Sequence, residues 1–154
     1  MNILIAYDGS TNADHAIAVA GTLFPGAHAE ILHVWEPGAG VAATAAAFPP
    51  TYSGGGDALD YEREEAGVVA LRGVELARQA GLEATGETVG TAGPLWRGIV
   101  DRIAVVSPDL TIVGTRGLTG LRGALAGSVS HSVVSHAQQP VLTVPMPGDA
   151  PVAG

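Results

Sequence analysis

The chain contains no cysteine and no lysine, and its basic side chains are Arg63, Arg72, Arg78, Arg97, Arg102, Arg116 and Arg122. Without thiols there is no disulfide, thiolate metal site or sulfur nucleophile. Without lysine there is no Schiff-base chemistry, no pyridoxal anchor and no P-loop lysine. Positive charge is also short: 15 acidic groups against 7 basic ones leave a net charge of -8 over 154 residues. Phosphate backbones are bound by cations, so this balance argues against a general nucleic-acid binder. Any anion site has to be local, made from arginine, hydroxyls and backbone N–H groups. Long apolar runs are missing as well. Ile3–Tyr7 stops at Asp8, too short for a leader, and the uncharged stretch 37–56 is broken by Pro37, Pro49, Pro50 and several glycines. The expectation is a cytoplasmic protein of one domain, residues 1–146, followed by a flexible tail, 147–154, with neither membrane nor nucleic acid as a partner.

What is present is a regular alternation of short apolar runs and helical periodicity. Ile3–Tyr7 suits a strand buried on both faces, and Asp8-Gly9-Ser10-Thr11 is a turn with hydroxyls able to cap a helix. Ala13, Ala16, Ile17, Ala20, Leu23 and Phe24 recur at helical spacing up to Pro25-Gly26. A second strand at Ala29–Val34 precedes the long loop. A helix over roughly Asp57–Ala80 then ends at Gly81, and a more polar third strand, Leu82–Val89, belongs near a sheet edge. Pro94 stands at the start of another helix with the inner stripe Leu95, Ile99, Ile103 and Val106, which Pro108 ends. Strand Leu110–Val113, a glycine-rich loop over 114–127, helix Ser128–Ala137 and strand Val141–Val144 complete the order. Strands alternating with helices predict a doubly wound α/β domain: a parallel sheet with helices on both faces.

Ligands in such sheets sit beyond the carboxyl ends of the strands, where the strand order reverses. Two segments with suitable chemistry lie there, Asp8-Gly9-Ser10 and Gly114–Ser130. The second holds Gly114, Gly117, Gly120, Gly123 and Gly127, then Ser128, Val129 and Ser130 at a helix entrance. Glycines let the backbone approach a bulky anion, and the first turn of a helix offers unpaired N–H groups and a positive dipole end. Residues 114–148 contain Arg116 and Arg122 and no carboxylate, so an acidic chain carries a +2 segment there. Physics alone leaves two readings open: a phosphate site, or a plain connection with Ser128 as a helix cap.

The spacing Gly114-x-x-Gly117, nine residues, Gly127-Ser128 resembles the nucleotide-binding signature of the universal stress protein family. The opening Ile3-Leu4-Ile5-Ala6-Tyr7-Asp8-Gly9-Ser10 and the ending Ala137-Gln138-Gln139-Pro140-Val141-Leu142-Thr143-Val144 are similar to that family too, and the likeness spans roughly residues 1–145. The resemblance implies a five-stranded parallel sheet in the order 3-2-1-4-5, with ATP or another adenine nucleotide, accompanied by magnesium, at the reversal point. It implies Asp8 on the ribose hydroxyls, main chain at Ala6 and Val34 beside the adenine, and Val113 as an apolar wall. Gly114, Arg116, Gly117, Gly127, Ser128, Val129 and Ser130 match positions around the phosphates. Arg122 lies inside the spacer as a solvated cation. The resemblance also implies a homodimer paired antiparallel through Val141–Val144 and a small regulatory stress-response protein, with an unknown protein partner left open.

Other chemistries fit less well. His131 and His136 are five apart, so they face different ways on a helix, and His15, His28 and His33 lack accompanying carboxylates, so each reads as structural or surface histidine. Ser128 lacks the Gly-x-Ser-x-Gly elbow of a hydrolase, and the first strand is not followed by a Rossmann fingerprint. No catalytic base is evident. A slow ATPase or phosphate-transfer enzyme using the same pocket, and a partner-binding module with a vestigial loop, remain the alternatives. The acidic face Glu62, Glu64, Glu65 with Arg63 reads as solvated, and the 37–56 loop as a lid beside the adenine.

Overall fold

The computed structural model describes residues 1–39, 55–115 and 128–147. In chain order the elements are β1 (Asn2–Ala6), α1 (Thr11–Leu23), β2 (His28–Trp35), α2 (Gly55–Gln79), β3 (Glu83–Gly90), α3 (Leu95–Val106), β4 (Leu110–Gly114), α4 (Ser128–His136) and β5 (Val141–Val144). The strands form a parallel sheet in the order β3-β2-β1-β4-β5. This is the doubly wound α/β arrangement expected from the sequence, with the polar β3 at one edge and the four-residue β5 at the other.

Side chains alternate across the sheet and divide the core in two. Ile3, Ile5 and Tyr7 face one side with Ala29, Ile31 and Ile112, packed against Ala13, Ala16, Ile17 and Ala20 of α1 and Val74 and Ala77 of α2. Leu4, Leu32, Val34 and Val113 face the other with Ile99 and Ile103 of α3 and Val133 of α4. Small residues set the helix distances. A Cβ on Gly73 of α2 would come within 2.7 Å of Ile31 and 2.8 Å of the Tyr7 ring, so only glycine allows that helix to lie so near the sheet.

Two helix stripes differ from expectation. Leu23 and Leu95 are exposed. The inner line of α1 runs through Ala13, Ala16, Ile17 and Ala20 to Phe24, and Leu23 stands off it at the last helical position. Leu95 lies in the first turn of α3, where Trp96 does the packing instead. Pro94 is the N-cap rather than the first helical residue, Gly114 belongs to β4, and α2 starts at Gly55, two residues before the expected Asp57. The expected tail lies outside the described residues from 148 onward.

Candidate functional site

Parallel register brings the ends of β1 and β4 together. Ile5 is opposite Ile112 and Ala6 is opposite Leu32, so the turn after β1 and the end of β4 lie side by side where the strand order reverses. Asn12, buried in the first turn of α1, locks this junction: its Nδ2 donates to the Val144 carbonyl at 3.2 Å. The same carbonyl accepts the Thr115 N–H at 3.1 Å. A Cβ on Gly114 would come within 2.7 Å of Asn12 Oδ1, so glycine is required where β4 meets α1.

The turn Asp8-Gly9-Ser10 is held by groups from three elements. Asp8 Oδ1 accepts the Ser10 N–H at 3.0 Å, and Ser10 Oγ caps α1 by accepting the Ala13 N–H at 3.2 Å. Gly9 takes φ +79°, open to glycine at little cost. His33 Nδ1–H donates to the Tyr7 carbonyl at 2.9 Å. Arg72 of α2 donates from Nη1 to the Gly9 carbonyl at 3.3 Å and from Nη2 to Asp14 Oδ2 at 2.6 Å. Tyr7 donates its hydroxyl to Asp14 Oδ1 at 2.6 Å. Burial, then the hydrogen bond to Asp14 and its charge, push the Tyr7 hydroxyl well above its ordinary 10.0, and Arg72 opposes that rise.

Of the residues singled out in the sequence, Ala6, Val34, Val113 and Val129 share the apolar cluster beneath α3 and α4. Asp8 sits just beyond the end of β1, Gly114 ends β4, Ser128 opens α4, and Ser130 is buried in its first turn. Arg116, Gly117, Arg122 and Gly127 lie outside the described residues. So does most of the expected lid, of which only residues 37–39, 55 and 56 are described.

On the α2 side, Asp8, His33, Trp35, Glu36, Tyr61, Glu62, Glu64 and Glu65 line a cavity of about 740 Å³. On the acidic face of α2, Arg63, Glu64 and Glu65 are exposed as expected, while its three carboxylates also border the hollow shared with Asp8 and Glu62 Oε2 accepts the Gly38 N–H at 2.6 Å. His33 likewise has carboxylates near it that the sequence order conceals. Among the described residues, however, no three His, Asp or Glu side chains are grouped to hold a metal ion. His28 pairs with Glu83 at 2.8 Å on the surface. His136 donates to the Ser132 carbonyl and stacks on Trp96 with ring centres 4.4 Å apart.

The hydrogen-bonded turn around Asp8 was only partly visible in advance. Arg72, Asp14 and Asn12 carried no motif. A tyrosine ending a buried strand does signal that its hydroxyl needs a partner, without saying which.

Residues 1–145 match the model of the universal stress protein family. A universal stress protein of Thermus aquaticus, from the QAH/OAS sulfhydrylase 3′ region, is 32% identical over 92% of this chain and 96% of its own. Among solved structures, the hypothetical protein MJ0577 superposes with a TM-score of 0.74 at 22% identity, covering 96% of each chain. The universal stress protein from Archaeoglobus fulgidus in complex with dAMP gives 0.65 at 22% identity, covering 93% of this chain and 96% of that one. Other similar structures hold cAMP and AMP. No helix among the described residues is long and apolar enough to cross a membrane.

Proposed function

Because this chain belongs to the universal stress protein family, we propose that it is a cytoplasmic regulator that binds ATP, or another adenine nucleotide, without efficient catalysis. One observation carries the reading: the Asp8 turn and the Gly114 end of β4 flank the reversal point of the sheet, the general ligand position of such folds. Asp8 accepts hydrogen bonds from the ribose diol, which a carboxylate suits. Main chain at Ala6 and Val34 borders the adenine, and Val113 is its apolar wall. Gly114, Arg116, Gly117, Gly127, Ser128, Val129 and Ser130 surround the phosphates at the start of α4.

Charge gives the nucleotide its direction. The hollow beside Asp8 carries Glu36, Glu62, Glu64 and Glu65, whereas residues 114–148 carry no carboxylate and two arginines. A triphosphate is repelled from the first side and directed toward α4. Magnesium would accompany the triphosphate as its counter-ion, offsetting charge that an acidic chain with seven arginines and no lysine does not neutralise. Bonds from Ser10 and His33 hold the Asp8 turn in place for the sugar, and the first turn of α4 would receive the phosphates. The edge strand β5, which among the described residues pairs only with β4, pairs with its copy in a homodimer.

Mass spectrometry of the nucleotide that co-purifies, followed by equilibrium dialysis with Mg-ATP, tests the assignment. Saturable binding below millimolar nucleotide is expected. No binding at millimolar concentration refutes it.

A further inference from the structure

The geometry points to Arg72 as a positioning residue for sugar recognition by Asp8, a role that rests on the ribose assignment above. The peptide unit joining Gly9 to Ser10 is held at both ends. Its N–H donates to Asp8 Oδ1 at 3.0 Å, and its carbonyl accepts Arg72 Nη1 at 3.3 Å. The guanidinium therefore fixes the plane of a peptide whose N–H orients the Asp8 carboxylate. By polarising the carbonyl it also makes that N–H a stronger donor.

The arrangement needs arginine. Arg72 uses separate nitrogens for two acceptors on different segments, the Gly9 carbonyl and, at 2.6 Å, Asp14 Oδ2 in the first turn of α1. A planar fork serves both from separate nitrogens, whereas a lysine ammonium carries its three donors on a single nitrogen. Asp14 is itself fixed by the Tyr7 hydroxyl at 2.6 Å, so the fork has a rigid seat. On the other flank, His33 holds the Tyr7 carbonyl, which fixes the peptide entering Asp8. As a stability device, an ion pair whose arginine side chain is 55% exposed contributes little. Its consequence lies in the carboxylate rotamer, and hence in the discrimination between ribose and deoxyribose.

The test compares wild type, Arg72→Met and Arg72→Lys in two measurements. The first is amide hydrogen exchange at Ser10 in the ligand-free protein, with Ala16 of α1 as an internal reference. The second is the affinity ratio between ATP and its 2′-deoxy and 3′-deoxy analogues. A charge-assisted sugar contact gives wild type a ribose preference of about tenfold or more. In Arg72→Met, Ser10 exchange rises by about tenfold and the preference falls toward unity, while affinity for the deoxy analogues stays within about twofold. Arg72→Lys recovers only part of both. Unchanged Ser10 exchange and an unchanged ratio in a wild type that binds nucleotide overturn the role of Arg72 alone. So does an equal loss for all nucleotides, which marks a merely structural or direct phosphate effect. Absence of nucleotide binding by wild type overturns the ribose assignment and this role with it, and Ser10 exchange then still reports whether Arg72 holds the turn.

Discussion

Thr111 sits in the middle of β4 with no exposed surface, and its Oγ1 has no hydrogen-bond partner among the described residues. Its backbone is well served, with its N–H donating to the Pro140 carbonyl at 2.9 Å and its Cα opposite Leu4 and Val141. Only the hydroxyl is left over. By strand alternation it faces the same apolar cluster as Val113. A buried hydroxyl without a partner costs roughly 1–3 kcal/mol, and valine replaces it with a methyl group of nearly the same shape and a better strand propensity. Thr111→Val is therefore expected to stabilise the fold by about 1–2 kcal/mol. For a domain of this size each kcal/mol raises the melting temperature by about 2–4 °C, which calorimetry resolves. Thr111→Ser keeps the hydroxyl and removes a methyl group, so it should lose about 1 kcal/mol. A Thr111→Val protein that melts at or below the wild-type temperature refutes the reasoning, because the hydroxyl would then be contributing a hydrogen bond.

Three further outcomes follow from packing and charge. A Cβ at Gly21 would run into the backbone carbonyl of Ala80, where α1 meets the end of α2; Gly21→Ala should destabilise by about 1–2 kcal/mol despite its better helix propensity, as read by urea denaturation. Arg102 of α3 binds Glu30 of β2 through two nitrogens at 2.8 and 2.7 Å, with both side chains mostly buried. Arg102→Met should cost about 2–3 kcal/mol, and the loss in Arg102→Met with Glu30→Gln should fall short of the sum of the two single losses; strictly additive losses would show that the pair is uncoupled. The Tyr7 hydroxyl is held above its ordinary 10.0 by burial and by Asp14, so the folded state favours its protonated form. That contribution is complete below pH 10 and is lost as pH rises above it. The stability advantage of wild type over Tyr7→Phe should therefore shrink on the alkaline side of pH 10, and a gap independent of pH through that range would refute the assignment.

How much of this could be read from the chain follows the range of the interactions. Apolar runs, glycine and proline punctuation and helical spacing are local, and among the described residues they located the five strands and four helices to within about two residues. The sheet order came from the family resemblance rather than from any pattern in composition, and the observed topology bears it out. Leu23 and Leu95 misled because helical spacing shows which residues are apolar, not how a helix is rotated at its ends. Asp8 and Gly114 were legible because a turn residue and a glycine at strand ends carry their chemistry in sequence. The hold on the Asp8 turn was not. Arg72 reaches Asp14 across 58 positions and Gly9 across 63, and Asn12 reaches Val144 across 132. The acidic cavity wall on α2 reads as an ordinary solvated face until the fold brings Asp8 and His33 beside it.

The central claim, one adenine nucleotide held between Asp8 and the start of α4, is tested most directly by isothermal titration calorimetry. Mg-ATP is titrated into wild type and into Asp8→Ala. The account predicts one saturable site per chain in wild type and affinity weaker by about tenfold or more in Asp8→Ala, with the same melting temperature to within a few degrees. Absence of binding at millimolar Mg-ATP, or equal affinity in the two proteins, contradicts it.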